Sequence, residues 1–214
     1  PIIITDVMVT YTNVSEPSAG ETLWNGGASY VNTDTNIVSP ITHRRYRCLQ
    51  ANTNKDPSII ANIDIFWTDI GPSNAKAMFD GSTSYQTTKT GSISVTIKPG
   101  FFNGLCIFGI DATYLDVIIK DTPGGTVVKE FHGSMEGTIV GDWYEYYFSP
   151  FSPVTDFVLT DITPFYDSEI SITLTGGTTK CGIIGLGDYR TYGITDYGAK
   201  ATPRSFSNIK RNSD

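Results

Sequence analysis

The chain of 214 residues is short of the side chains that carry most catalytic and metal chemistry, with only two histidines, three cysteines and three methionines. Charged residues make up 17% of it, below the roughly 25% of an ordinary globular domain. Its 22 acidic and 15 basic side chains give a net charge of −7, which argues against a nucleic-acid partner, because phosphates need clustered Lys and Arg. No apolar run approaches the ~20 residues that cross a bilayer, so no membrane insertion is predicted.

The sequence also offers few features that would indicate a secretory signal or paired cysteines. The start, Pro1–Asp6, has neither a basic region nor a following apolar run, so no secretory signal is predicted. Cys48, Cys106 and Cys181 are odd in number and form no Cys-x-x-Cys pair. Their apolar contexts favour buried free thiols in a protein made in a reducing compartment, with one disulfide or a metal site as the alternative. No cofactor is predicted.

What the sequence does contain is a series of short β-branched and aromatic runs separated by Gly, Pro, Asn and Asp, with no long amphipathic helix. The clearest alternation lies in Ser92–Ile97 and Glu169–Leu174, where every second residue is aliphatic. Ile2–Tyr11 is another predicted strand, and Asp121–Gly125 is typical of a hairpin turn. We therefore predict an all-β fold, with a small N-terminal β module followed by an antiparallel β-sandwich.

The composition changes near Gly71–Asn74, since Asn and Thr are abundant before it and alternating strands are frequent after it. This shift predicts a small aromatic-rich β module over residues 1–74 and a sandwich over residues 75–197. The remaining residues, 198–214, carry Lys200, Arg204, Lys210 and Arg211 and are predicted to form a basic exposed tail or linker.

A spaced aromatic pattern marks the first segment: Trp24, Tyr30, Tyr46, Pro57 and Trp67. It resembles the small chitin-binding β modules that are appended to bacterial glycosidases. The resemblance implies that the Trp and Tyr rings contact a glycan by lying against the apolar faces of its sugar rings. The alternative is that these rings form the core of a domain poor in aliphatic residues, each burying ~150–250 Å².

A second pattern, Ala77–Gly81 followed by the alternating strands and the glycine-rich Cys181–Gly187, resembles galactose-binding-like jelly rolls over about residues 75–192. That family places an Asp-Gly loop before the first sandwich strand, which makes Asp80 a candidate calcium ligand. One carboxylate does not supply the six to eight oxygens that Ca²⁺ takes, so the alternative is that Asp80 bonds turn amides before Gly81.

The third pattern is the aromatic stretch Asp142–Phe151. Read as a strand, it is aromatic on both faces, so we expect one face in the core and the other in a contact between subunits or domains. The predicted interface residues are Trp143, Tyr144, Tyr146 and Tyr147, and a sugar-binding platform is the alternative.

Enzymatic activity is not predicted. Glycosidases need two carboxylates ~5–9.5 Å apart, and no pair of acidic residues is singled out here. His43 and His132 lie in ordinary polar contexts near strand ends.

Taken together, Phe66–Asn74, Lys76–Gly81 and Tyr192–Ala199 resemble a family of tailed-bacteriophage virion proteins in which a chitin-module-like segment is fused to a jelly-roll sandwich. The resemblance implies a structural component of the tail tip, baseplate or an attached fibre, located in the virion and assembled in the host cytoplasm. Its implied partners are other virion proteins, copies of itself and a host surface glycan. The alternative function is a carbohydrate-binding adhesion module, followed by a polysaccharide-degrading enzyme.

Overall fold

The computed structural model describes residues 2–137, 142–148 and 153–190, without the side chains of Glu145 and Tyr146. The predicted basic tail, residues 198–214, lies outside the described residues, as does Tyr192–Ala199. Strands dominate and most sheets are antiparallel, which confirms the predicted all-β sandwich fold. No helix in the described ranges is long and apolar enough to span a membrane.

The larger sheet of the sandwich has five antiparallel strands. Its order is β1 (Val9–Thr12), β8 (Thr87–Ile97), β13 (Glu169–Cys181), β10 (Tyr114–Lys120) and β11 (Val127–Ser134). Three of these strands place their aliphatic residues in cross-strand rows, for example Val95 opposite Ile172 and Ile172 opposite Val117. All three side chains are buried, so the period-two pattern correctly predicts the inward face. Each such side chain contributes roughly 1.5–3 kcal/mol by its burial.

The second sheet has three strands and closes the sandwich core from the other side. Its order is β12 (Asp156–Leu159), β9 (Gly104–Phe108) and β14 (Ile183–Gly187). Leu105 and Ile107 of β9 and Leu186 of β14 are buried and belong to the same core as the aliphatic rows of the larger sheet.

The N-terminal module contains a four-stranded sheet and a two-stranded one. The four-stranded sheet consists of β2 (Thr22–Leu23), β4 (Ile37–Val38), β5 (Arg44–Cys48) and β7 (Trp67–Pro72), and the pair consists of β3 (Ser29–Tyr30) and β6 (Asn52–Thr53). Short 3₁₀ turns cover Ile60–Asn62 and Ala77–Phe79. The module has its own small core, separate from that of the sandwich.

The predicted division at residue 74 needs a correction at the N-terminus. Residues 9–12 form β1, which pairs with β8 at the edge of the five-stranded sheet, and Ile2 bridges to Leu186. Ile4 and Val14 also pack against the sandwich core. Residues 2–14 therefore belong structurally to the sandwich, because its edge strand offers unpaired backbone groups that a distant segment can satisfy.

The predicted strand over Trp143–Phe148 is wrong, since these residues form a helix, α1. Five of its six residues are aromatic, so neither a period of two nor one of 3.6 is visible in the sequence. The helix brings residues four apart together, and the ring centroids of Trp143 and Tyr147 lie 6.4 Å apart. Tyr144 and Phe148 form the second pair, at 4.9 Å.

Candidate functional site

Three of the four aromatic residues predicted to contact a glycan lie in the module core. Tyr30, Tyr46 and Trp67 are buried, and Tyr30 meets Trp67 edge to face with centroids 5.1 Å apart. The indole Nε1 of Trp67 donates a hydrogen bond of 2.6 Å to the Lys55 carbonyl. Enclosed rings present no face to a sugar, so the prediction of glycan contact is corrected for these three residues. Because the module has few aliphatic residues, it needs the area of these three aromatic rings to fill its core.

Trp24, the fourth predicted contact residue, is half-buried and packs against the same core. Its indole Nε1 is buried, with no hydrogen-bond partner among the described residues. The Tyr30 hydroxyl lies next to the backbone that follows Trp24, where it accepts a 2.7 Å hydrogen bond from the Asn25 amide. Trp24 thus serves the module core at least in part.

The Asp80 carboxylate bonds a turn amide, as the alternative to a calcium site predicts. Its Oδ1 accepts a hydrogen bond of 2.8 Å from the Ser82 amide, two residues further on. In the ranges that the structure describes, no group of three or more His, Cys, Asp or Glu residues is placed to hold a metal ion.

The α1 aromatic surface, defined as Trp143, Tyr144, Tyr147 and Phe148, is the most exposed aromatic feature of the described chain. These side chains are 77%, 71%, 69% and 71% exposed. With ~150–250 Å² per ring, the four side chains together expose on the order of 600 Å² of aromatic area, in the two ring pairs of the helix. The largest apolar patch on a typical monomer measures roughly 300–600 Å² and often has a function. The predicted interface residue Tyr146 lies in α1, but its side chain is outside the described residues.

A second group of exposed aromatic residues, the loop aromatic cluster, lies on loops at one end of the sandwich: Phe101, Tyr166 and Tyr189. Phe101 follows β8, Tyr166 precedes β13 and Tyr189 follows β14. The rings of Phe101 and Tyr166 meet edge to face at 5.6 Å, although the two side chains are 62% and 81% exposed.

Asn103 fixes part of this loop cluster. Its Nδ2 donates to the Tyr189 carbonyl at 3.0 Å and to Asp188 Oδ1 at 3.2 Å, while its Oδ1 accepts from the Tyr189 amide. The other oxygen of Asp188 accepts from Arg190 Nε at 2.7 Å, and this hydrogen bond holds the pKa of the Asp188 carboxyl below its usual range. The cluster therefore combines exposed rings with fixed polar groups, the composition that ligand sites share.

Sequence reasoning missed the loop aromatic cluster, because it looked for aromatic residues within strands. The available signal was an aromatic residue inside turn chemistry, as in Pro99-Gly100-Phe101 and Pro164-Phe165-Tyr166. Large aromatic side chains have little reason to lie in such turns unless they pack or bind something.

The histidines and cysteines occupy separate positions. His43 Nδ1 lies 2.6 Å from Glu16 Oε2, and His132 Nδ1 lies 2.6 Å from Asp116 Oδ1, a contact that raises the pKa of His132. All three cysteines are free thiols, of which Cys48 and Cys181 are buried and Cys106 is half-buried. The expected burial is thus found for Cys48 and Cys181 but not for Cys106.

Comparisons with known proteins give no close relative. No family model matches the sequence, and no curated protein is similar to it. Among solved structures, a Ruminococcus gnavus GH29 fucosidase is similar over 54% of this chain, with 13% identity and a TM-score of 0.37, and this chain covers 22% of the fucosidase. A module termed CpGH89CBM32-6 from Clostridium perfringens is similar over 53% of this chain and 83% of its own length, with 13% identity and a TM-score of 0.34. XRCC1, bound to the DNA pol beta catalytic domain, is similar over 54% of this chain and 87% of its own, with 10% identity and a TM-score of 0.37.

Carbohydrate-binding modules recur among these similar structures. At such identities and TM-scores, the likeness carries no argument about what this chain binds.

Proposed function

We propose that the chain is a carbohydrate-binding module that holds a glycan on the α1 aromatic surface. The observation that carries this proposal is the exposure of four aromatic rings, in two adjacent pairs, on one short helix. Aromatic faces bind the apolar C–H faces of sugar rings, and the Tyr144 hydroxyl adds a hydrogen-bonding group at the same place.

The pairing of the rings suits a glycan. The Trp143 and Tyr147 centroids lie 6.4 Å apart, and those of Tyr144 and Phe148 lie 4.9 Å apart. One or two sugar rings are covered by two such adjacent aromatic side chains.

The test is a glycan array with the full chain, followed by titration calorimetry on the best ligand. We expect saturable binding that weakens at least tenfold, or about 1.4 kcal/mol, in Trp143→Ala and in Tyr147→Ala. Tyr11→Ala is the matched control, because Tyr11 is also an exposed aromatic residue, on β1. The proposal is wrong if no glycan on the array binds saturably, or if the Trp143→Ala and Tyr147→Ala variants bind as the unchanged protein does.

A structural role in a bacteriophage virion is the second proposal, and it rests on the motif resemblance alone. In that role the α1 aromatic surface would contact another subunit, and the chain would have no enzymatic activity. Sedimentation of the full chain tests it, since self-association that Trp143→Ala abolishes would support subunit contact. A monomer at all concentrations, together with glycan binding, would argue against that contact.

A further inference from the structure

A cleft of about 540 Å³ lies between the N-terminal module and the sandwich. The module contributes Asn36 and Arg45, and β8 of the sandwich contributes Lys89 and Thr90. Its volume lies within the ~300–1,000 Å³ of small-ligand sites. Nine of its twelve lining residues carry a hydroxyl, amide or charged group, and none is aromatic. Such a lining suits a polar ligand with many hydroxyl groups.

The cleft contains two cations without an acidic partner. Arg45 and Lys89 are both half-buried, and neither forms an ion pair with any residue in the described ranges. Arg44, next to Arg45 on β5, does pair with a carboxylate, that of Asp69. A half-buried cation without a counter-charge is costly, and the cost is offset when an anion binds beside it.

Arg45 is held in place by neutral groups on several sides. Its Nε donates to the Pro72 carbonyl at 2.8 Å, its Nη1 lies 3.5 Å from Asn36 Oδ1, and its guanidinium carbon lies 5.4 Å from the centre of the Tyr85 ring. These contacts orient the guanidinium while leaving other N–H donors for a ligand. A guanidinium fixed in this way can bind a carboxylate through two parallel hydrogen bonds.

The one carboxylate on the cleft wall is already used by the backbone. Glu21 Oε1 accepts from the Asn74 amide and Oε2 accepts from the Ser18 amide, each at 2.8 Å. Glu21 therefore holds the wall together. Its single negative charge is outweighed by the two positive charges of Arg45 and Lys89, so the cleft keeps a net positive charge.

The cleft walls are tied to each other by Asn74. Its Nδ2 donates to Ser18 Oγ at 3.0 Å and to the Thr88 carbonyl at 2.9 Å, and its Oδ1 accepts from the Thr88 amide at 2.8 Å. A site assembled before binding loses less entropy when its ligand binds.

We propose that this cleft binds a carboxylate-bearing sugar unit of an acidic polysaccharide, with the carboxylate between Arg45 and Lys89. The hydroxyl and amide groups of the wall, such as those of Ser15, Asn36 and Thr90, then face the sugar hydroxyls. This second site uses no residue of the α1 aromatic surface and does not depend on the function proposed for that surface.

The test is titration of the full chain with a galacturonic acid trisaccharide, with a neutral galactose trisaccharide and with inorganic sulfate. We expect saturable binding of the acidic trisaccharide, at least tenfold weaker in Arg45→Gln and in Lys89→Gln and weaker at high salt. Arg47→Gln is the matched control, because Arg47 lies two residues further along β5 and does not line the cleft. Lys89→Gln covers the case in which Arg45→Gln fails to fold, since Lys89 forms no ion pair with any residue that the structure describes.

Three results would overturn the proposal: equal binding of the neutral trisaccharide, binding of sulfate as tight as that of the acidic trisaccharide, or no effect of Lys89→Gln. Trp143→Ala separates the two sites, because it is expected to leave binding of the acidic trisaccharide unchanged. Binding of the acidic trisaccharide in the cleft, with no glycan binding that Trp143→Ala weakens, would thus reject the first proposal alone.

Discussion

Cys181 ends β13 in the sandwich core, and its thiol is fully enclosed. This burial raises the pKa of Cys181 from 9.0 to about 12, because a thiolate would lose its hydration there. Since the thiolate is the reactive form, the folded protein keeps this cysteine inert.

The raised pKa predicts a loss of stability in alkaline solution. Between pH 9 and 12 the unfolded chain releases a proton that the folded chain retains, so the free energy of unfolding falls by about 1.4 kcal/mol per pH unit. Below pH 9 the thiol is protonated in both states and contributes no pH dependence. Urea unfolding of the unchanged protein and of Cys181→Ala at pH 7, 9, 10 and 10.5 measures the effect.

The difference in stability between the two proteins should be constant from pH 7 to 9 and should shrink above pH 9. If the stability difference between the two proteins stayed constant up to pH 10.5, the raised pKa of Cys181 would be contradicted. Since the other cysteines and tyrosines are the same in both proteins, their titration cancels in the comparison.

Single residues also mark the limit of sequence-based prediction. Trp67 and Trp143 have the same side chain, yet the first is buried and the second is 77% exposed. Ring type alone does not decide between a core and a surface, because an aromatic side chain stabilises either place when it has something to contact.

At the scale of elements, the hairpin between β10 and β11 follows its turn chemistry closely. Asp121 Oδ1 accepts from the amides of Thr122 and Thr126 at 2.7 and 2.8 Å, and Gly124 has a φ of +70°. The turn predicted over Asp121–Gly125 is confirmed, because these demands are local and each is met by a residue within the turn.

Gly125→Ala should destabilise this hairpin. The added Cβ would lie 2.2 Å from Asp121 Oδ1 and 3.1 Å from the Thr122 carbonyl oxygen, so the carboxylate must leave its two amides. We expect a loss of about 1–3 kcal/mol in the free energy of unfolding, measured by urea denaturation.

Gly177→Ala is the matched control for the hairpin, because nothing lies within 4 Å of a Cβ added there. Its effect should stay within about 0.5 kcal/mol. If Gly125→Ala and Gly177→Ala lowered the free energy of unfolding equally, Gly125 would not be constrained by Asp121.

At the scale of the whole molecule, the module and the sandwich have separate cores, and both parts contribute residues to the cleft. Asn74 connects them through bonds to Ser18 and Glu21 on one side and to Thr88 on the other. We infer that this residue couples the unfolding of the two parts.

Asn74→Ala should therefore split thermal unfolding into two transitions, with the small module melting first because its core buries less apolar area. Differential scanning calorimetry of the full chain measures the split. Asn62→Ala is the control, because Asn62 bonds only within the module, to the Asp56 carbonyl. A single sharp transition in Asn74→Ala would contradict the coupling role.

The sequence alone determined the strands of the sandwich, the inward face of Ser92–Ile97 and Glu169–Leu174, and the Asp121–Gly125 turn. Each of these depends on a pattern within a few residues, since a strand alternates faces and a turn needs local donors and acceptors. The tertiary structure decided the pairing of β1 with β8, the helix α1, and which aromatic residues are exposed. It also brought Arg45 and Lys89, 44 positions apart in the chain, to one cleft. Those features depend on contacts between distant segments, and no local pattern in the sequence encodes them.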